Sequence, residues 1–319
     1  MSNDTTASTT SLGTVTDCPE IQVPHVVFLA IGVLSLAENL LVVLAVACNR
    51  KLHSPMYLFI CNLAVFNTLS SLSTIWETIM LAVSSAGHLD PRGASERRLD
   101  DVMDALLCTS FLGSFCSFLA IAADRYATIF RALRYHVIVT GRRVAATLAV
   151  IWALCGTGGV LMVTYFHNTT VMVSFITLFL AALFLILLLY GHMFLLARKH
   201  AQNIATLPGR GGVAGGHTWR HGWRNMRAAL TLMMLFGVFV ACWAPFFLHL
   251  LLLVLCPLDP YCECYRSLFQ PHLLLVVSHG AIDPAIYAFR SVEIRHAFWR
   301  MVLCAASRLL RSCYYGNQQ

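Results

Sequence analysis

From residue 24 onward the chain alternates between long apolar runs and short polar breaks, a rhythm that the core of a soluble domain does not produce. Apolar stretches near 24–48, 56–83, 101–128, 145–166, 171–197, 227–255 and 268–290 each reach the length of about 20 residues that a helix needs to cross a bilayer. Hydrocarbon offers no partner to backbone N–H and C=O groups, so runs of this kind must be helical. The pattern predicts an all-α membrane protein, a seven-transmembrane helix bundle over 24–290, with an extracellular tail over 1–23 and a cytoplasmic segment over 291–319. The weakest punctuation is "HNTT", which alone separates the fourth run from the fifth.

Composition agrees. Hydrophobic residues make up 58% of the 319 and charged residues only 12%, with a mean hydropathy of +0.70, whereas soluble chains are about one quarter charged. If the N-terminus is outside, only Arg92, Arg97, Arg98 and Arg266 of the 22 Lys and Arg lie outside, and 18 lie inside. That asymmetry sets the orientation. The formal charge of +7 is therefore a topology signature, and no nucleic-acid partner is expected. The first 23 residues lack a charged start followed by an apolar stretch, so the first span is read as its own insertion signal. Sequons at Asn3 and Asn168 fall on the outside as candidate glycosylation sites. Of 12 cysteines, Cys18, Cys256, Cys262 and Cys264 face the oxidising side; four cysteines allow three pairings.

At the head of the third run, "LDDVMDALLC" (99–108) sets three aspartates within five positions. Asp100 and Asp104 are four apart and share a helix face, whereas Asp101 points roughly 100° away and is read as solvated. Glu77, in the outer third of the antiparallel second span, can bring a carboxylate to the same depth. Intramembrane charge is costly and normally partnered, yet no Lys or Arg lies in the outer half of any span. Three readings stay open: some carboxylates are held neutral, a hard cation such as calcium sits among their oxygens, or a cationic ligand enters from outside. The last two are compatible.

From Asp104 to Arg125 is 21 residues, roughly 31 Å of helix, so the third span ends at the inner face in Asp124-Arg125-Tyr126. Span six carries "CWAPF", with Trp243 and Pro245, and span seven carries "DPAIY", from Asp283 and Pro284 to Tyr287. Proline frees backbone groups and permits a bend. After span seven, "SVEIRHAFWRMVLC" reads as a short amphipathic eighth helix with Ile294, Phe298 and Val302 on one side. Cys304 and Cys313 are candidate palmitoylation sites.

A D-R-Y at the inner end of the third of seven spans, with these motifs in the sixth and seventh, resembles the class A G-protein-coupled receptors. Most of them begin span three with a cysteine bonded to a long second extracellular loop; here Asp100 holds that position and the loop is almost absent, which leaves room for a peptide. "ENLLVVLAV", "SPMYLFICNLA", "DRYATIFRALRYH", "HMFLLAR", "CWAPFFLHL" and "DPAIYAFRS" resemble the melanocortin receptors along nearly the whole chain. That resemblance implies agonists with a His-Phe-Arg-Trp core, held with calcium by Glu77, Asp100 and Asp104. It implies an aromatic wall from Phe246 and His249, one turn beyond the bend at Trp243, and disulfides Cys256–Cys262 and Cys18–Cys264. It also implies that agonist binding shifts the population so that span six moves out, Arg125 is released, and Tyr190 and Tyr287 rearrange. Stimulatory G protein and adenylyl cyclase would follow. Within the family, "GHLDPRGASE" and "CPLDPYCECYRSLFQ" look most like the member that answers adrenocorticotropin, whose basic extension Asp90, Glu96, Asp101, Asp259 and Glu263 would meet. A subtype answering melanocyte-stimulating hormones is the alternative. A single-pass accessory protein is implied as a partner, and the basic inner loops suit an anionic membrane surface.

Three features depart from the pattern. Asn67 stands where class A receptors carry the aspartate that, with Ser114 and Asp283, would ordinarily hold sodium. His279 replaces the usual asparagine and is read as a hydrogen-bonded core residue. The third inner loop carries "GRGGVAGGHTWRHGW", read as flexible. An ion-coupled transporter is the rival from another class, because intramembrane acids also build ion paths; the paired repeats or broken helices common in transporters are not found. No catalytic constellation is read, and the chain is expected not to be an enzyme.

Overall fold

The computed structural model describes residues 21–85, 94–130, 135–165, 168–205, 213–256, 262, 264–265, 267–290 and 292–300. Asn3, Cys18, Asp90, Asp259, Glu263, Val302, Cys304 and Cys313 lie outside the described residues, as do the side chains of Glu96 and Tyr287. Each apolar run is a helix: α1 (His25–Cys48), α2 (Pro55–Ser85), α3 (Ala94–Phe130), one-turn α4 (Tyr135–Ile138), α5 (Gly141–Thr164), α6 (Thr169–Ala205), α7 (Val213–Leu255) and α8 (Phe269–Arg290). A further helical segment covers 292–300. Spans one to seven are therefore α1, α2, α3, α5, α6, α7 and α8. By length and composition, six helices among the described residues can cross a membrane. The remaining span, α8, is the polar one, carrying Gln270, His272, Ser278, His279 and Asp283.

Three helices outrun the apolar pattern. α3 begins at Ala94 instead of 101, α6 continues to Ala205 instead of 197, and α7 starts at Val213 instead of 227. Hydropathy marks only the part of a helix that lies in hydrocarbon, whereas a nucleated helix propagates one hydrogen bond per residue into water. This corrects the flexible reading of the glycine-rich inner loop: from Val213 through Gly215 and Gly216 it is the first part of α7.

The bundle centres on α2 and α3, while α5 and α6 turn much of their surface outward; Leu154, Leu178, Phe184 and Leu187 are exposed. In a membrane, helix association relies on close packing and not on apolar burial, and two glycines set that closeness. A Cβ on Gly159 would lie 2.6 Å from Ala105 O and collide with Thr109, so α5 meets the α3 backbone there. A Cβ on Gly113 would overlap the ring of Phe66, which stacks on Trp152 at 4.5 Å. The segment 292–300 packs as read: Ile294 and Ala297 are buried and Phe298 packs against Ala45, Val46 and Leu52 beside the inner end of α1, leaving Trp299 exposed. Cys256 and Cys262 form a disulfide, and Cys264 is also disulfide-bonded.

Candidate functional site

At the outer end, α1, α2, α3 and α8 enclose a cavity of about 300 Å³ lined by Phe28, Thr74, Glu77, Leu107, Phe269 and Gln270, among others. Glu77 is its acid. Glu77 Oε1 is buried without a hydrogen-bond partner, and the nearby charges of Asp104 and Asp100 act on it through space. Because α3 starts early, Asp100, Asp101 and Asp104 all lie on its first turns and all are exposed, so the solvation read for Asp101 extends to its two neighbours. The vestibule is acidic and open, and Glu77 is the deep member of the group.

Hard carboxylate oxygens are what calcium prefers, in sets of six to eight. The orphaned Glu77 Oε1 fits such an ion in chemistry. Among the described residues, however, no three acids, histidines or cysteines gather closely enough to hold a metal on their own. A cation here needs further oxygens from a ligand or water.

A second cluster, of aromatic residues, joins α7 to α8. Trp243 is buried, with Phe246 edge-on to it at 6.1 Å and Phe269 6.2 Å from Phe246. His249 is buried against Phe269 (5.2 Å) and His272 (5.9 Å). Phe246 and His249, read as a pocket wall, both pack on Phe269, which lines the cavity, but neither lines the cavity itself. The sequence reading missed Phe247, which stacks on Phe179 at 3.6 Å and stands 5.2 Å from Phe111, knitting α3, α6 and α7. Adjacent phenylalanines point about 100° apart on a helix, and only tertiary packing says which one turns into the core. Also missed was Tyr265, whose hydroxyl donates to Pro245 O at 3.0 Å and ties the outer loop to α7 at its proline. Burial raises the pKa of that phenol, so it stays a donor at neutral pH. Tail and α8 are joined as well, Val23 N–H donating to Gln270 Oε1 at 2.7 Å. Asn168 is exposed and accepts from Thr170 N–H at 2.9 Å, so its side chain caps α6.

Mid-bundle, Asn67 donates through Nδ2 to Asp283 Oδ2 (3.1 Å) and accepts from Ser114 Oγ (3.2 Å). Asn39 donates to Gly280 O and Ser35 O, each at 2.8 Å. The three residues read as a depleted ion site therefore meet, with the Asn67 amide where a second carboxylate would stand. His279 lies one turn before Asp283 with Nδ1 2.5 Å from Val276 O, and its ring is edge-on to Trp243 and Phe239. It is the hydrogen-bonded core residue the sequence predicts.

At the inner end Arg125 donates through Nη2 (2.6 Å) and Nε (3.1 Å) to Asp124 Oδ2. Tyr135 on α4 donates to the other oxygen, Oδ1, at 2.8 Å. Burial first, and then this bond to Asp124, push the Tyr135 phenol up to about 12. Tyr126 stacks near His192 at 5.9 Å, and Tyr190 is buried against Phe236 at 5.7 Å. Asp283 and Pro284 lie on the buried face of α8. Tyr135 was not read as a partner of Asp124; its position eleven residues on becomes a contact only because the chain turns back through α4.

An outer cavity holding Glu77, a proline inside α7 beside buried aromatic residues, and an ion-paired arginine at the inner end of the third span together fit a seven-helix receptor. A family model described as 7 transmembrane receptor (rhodopsin family) matches residues 38–287. The chain is 46% identical over 293 residues to melanocortin receptor 4 of Danio rerio, covering 92% of this chain and 88% of that one. It is 48% identical over 285 residues to melanocortin receptor 5 of Bos taurus (89% and 86%), and 46% identical over 290 residues to melanocortin receptor 3 of Homo sapiens (91% and 88%). The chain belongs to the melanocortin receptors, within the rhodopsin family, and is a multi-pass protein of the plasma membrane. Receptors of this family are not enzymes.

Proposed function

We propose that this chain is the receptor for adrenocorticotropin and signals through stimulatory G protein and adenylyl cyclase. The observation that carries the reading is the acidic vestibule: Glu77, with a buried, unpartnered oxygen, below the exposed Asp100, Asp101 and Asp104. Arg97 and Arg98 share the first turns of α3 with the aspartates, and a peptide arginine entering the vestibule supplies a counter-charge to the deeper Glu77 through charge-assisted hydrogen bonds. Glu77, Asp100 and Asp104, together with peptide oxygens, would hold calcium, which would offset the remaining repulsion between the carboxylates. Phe246, His249 and Trp243 receive the aromatic residues beside that arginine. The basic extension of adrenocorticotropin finds acids at the rim, of which Asp101 is exposed. Agonist binding then favours the state in which α7 swings out and Arg125 leaves Asp124.

A second subtype reading stands beside it, in which the chain answers melanocyte-stimulating hormones, because relatives of 46–48% identity carry the names melanocortin receptor 3, 4 and 5. The test is cyclic AMP in cells expressing this chain, with and without the single-pass accessory protein, on titrating adrenocorticotropin and a short core-only melanocortin. A rise with adrenocorticotropin alone is expected. A response to the short peptide of equal potency selects the second reading, and silence despite surface expression and radioligand binding contradicts coupling through this pathway.

A further inference from the structure

Cys116 of α3 and Cys155 of α5 meet away from both the outer cavity and the inner polar cluster. Both are free thiols, and the Cys155 S–H donates to Cys116 Sγ at 3.8 Å. Their meeting follows from the glycine contact further out. Gly159 lies against the backbone of α3 at Ala105 and Thr109, so the helices are still close where Cys155, one turn inward on α5, faces Cys116, about two turns inward on α3. The thiols sit in an apolar shell that includes Phe66, Leu112, Ala120 and Ile151, within the lengths of α3 and α5 that can cross a membrane. Cys155 is buried, whereas Cys116 is half-buried in line with the half-buried Leu112 and Leu119, and Leu154, next to Cys155, is exposed. Cys116 is thus reached from hydrocarbon and not from water.

We propose that Cys116 and Cys155 form a dithiol modification site, which a hydroperoxide arriving through the lipid converts to a disulfide between α3 and α5. The order of attack follows from exposure and from the hydrogen bond. Cys116 is the more exposed sulfur, and the S–H it accepts from Cys155 stabilises the negative charge it develops as a nucleophile. It takes the outer oxygen of the hydroperoxide as the O–O bond breaks; its proton passes to the departing alkoxide, leaving a sulfenic acid and an alcohol. Cys155 Sγ then attacks the sulfenic sulfur. The S–S bond forms, the S–OH bond breaks, and water leaves with the Cys155 proton. The two sulfurs together lose two electrons, which the peroxide O–O bond takes up. Thiols, sulfenic acid, disulfide, alcohol and water are all neutral, as an apolar surrounding demands. A metal thiolate would leave a charge there, and among the described residues no third histidine, cysteine or acid gathers to help hold one.

Membranes holding the full-length receptor are treated with cumene hydroperoxide, which partitions into lipid, or with hydrogen peroxide at the same concentration. Free thiols are then capped with N-ethylmaleimide under denaturing conditions, and unreduced peptides are weighed. Wild type should yield a linked pair of peptides joined through Cys116 and Cys155, about 2 Da lighter than the two reduced peptides together. The pair should form faster with cumene hydroperoxide and disappear on reduction. Cys155→Ser, which removes the resolving thiol, should stop at a Cys116 sulfenic acid that dimedone traps. In Cys116→Ser, Cys155 should stay reduced and take the maleimide in full. Radioligand peptide binding is the folding control for each variant, and the wild-type arm stands without them. Full capping of both thiols in treated wild type overturns the proposal. So does a linked pair formed as fast with hydrogen peroxide, which places the entry in water, and oxidation of Cys155 in Cys116→Ser overturns the order of attack.

Discussion

Asn67 and Asp283 face each other across the middle of the bundle, amide nitrogen to carboxylate oxygen at 3.1 Å. A neutral donor on α2 thus meets the buried acid on α8, whose other oxygen, Oδ1, has no hydrogen-bond partner. The amide satisfies one lone pair without bringing a second charge, so the site does not depend on a cation to balance two carboxylates.

Restoring the second carboxylate should create that dependence. Asn67→Asp is expected to lose on the order of 3 kcal/mol in sodium-free buffer, the scale of an uncompensated buried charge, and to recover part of it in sodium chloride. Thermal unfolding in choline chloride against sodium chloride reads both effects, with the wild-type chain indifferent to the exchange. A variant as stable as wild type in both buffers would show that Asp283 tolerates a neighbouring charge unaided.

The polar cluster at the inner end of α3 rests on Asp124, which takes Arg125 on one oxygen and Tyr135 on the other. Tyr135→Phe leaves Oδ1 without that donor and weakens the hold on Arg125. A hydrogen bond to a charged group contributes about 1.5–3 kcal/mol, and if half of that biases the resting state, basal cyclic AMP rises about 3- to 10-fold. Because the Tyr135 pKa is raised in the folded chain from 10.0 to about 12, its contribution is constant below pH 10 and is lost only as pH climbs through the folded value. Basal signalling equal to wild type at matched surface expression argues against Tyr135 as a restraint.

The contact of α5 with α3 is set by a glycine. Gly159→Ala directs a methyl at Ala105 O and Thr109; backbone on the far side cannot rotate away, so the helices must separate. Overpacking of this kind costs about 1–3 kcal/mol, and surface expression should fall severalfold. Gly156→Ala, where a Cβ meets nothing within 4 Å, should express as wild type. Because Ala favours a helix over Gly, equal losses at both positions would place the cause outside both helix propensity and the contact with α3.

Hydropathy gave away the spans because each is long and its polar breaks are short. It could not locate the ends of α3, α6 and α7, where helix continues into water through residues that carry no membrane signal, as at Arg97–Asp100 and Gly215–Gly216. The charged and motif-bearing candidates, Glu77, Asp104, Asp124, Arg125, Trp243 and Asp283, stand out in the sequence because charge or tryptophan in a span demands a reason. Phe247, Phe111 and Tyr265 do not. An aromatic residue in a span is ordinary, and its role depends on which helix lies opposite, which no periodicity along one helix encodes.

The central claim is that Glu77 answers the positive charge of the peptide. Its most direct test is a double-mutant cycle on binding: wild type and Glu77→Gln, each with a core melanocortin carrying arginine and with the same peptide carrying citrulline. Glu77→Gln should weaken the arginine peptide about 10- to 100-fold, matching about 1.5–3 kcal/mol for a charge-assisted bond, and should leave the citrulline peptide within about twofold. Equal losses for both peptides would mean that Glu77 shapes the pocket without meeting the charge, and the account of the acidic vestibule would fail.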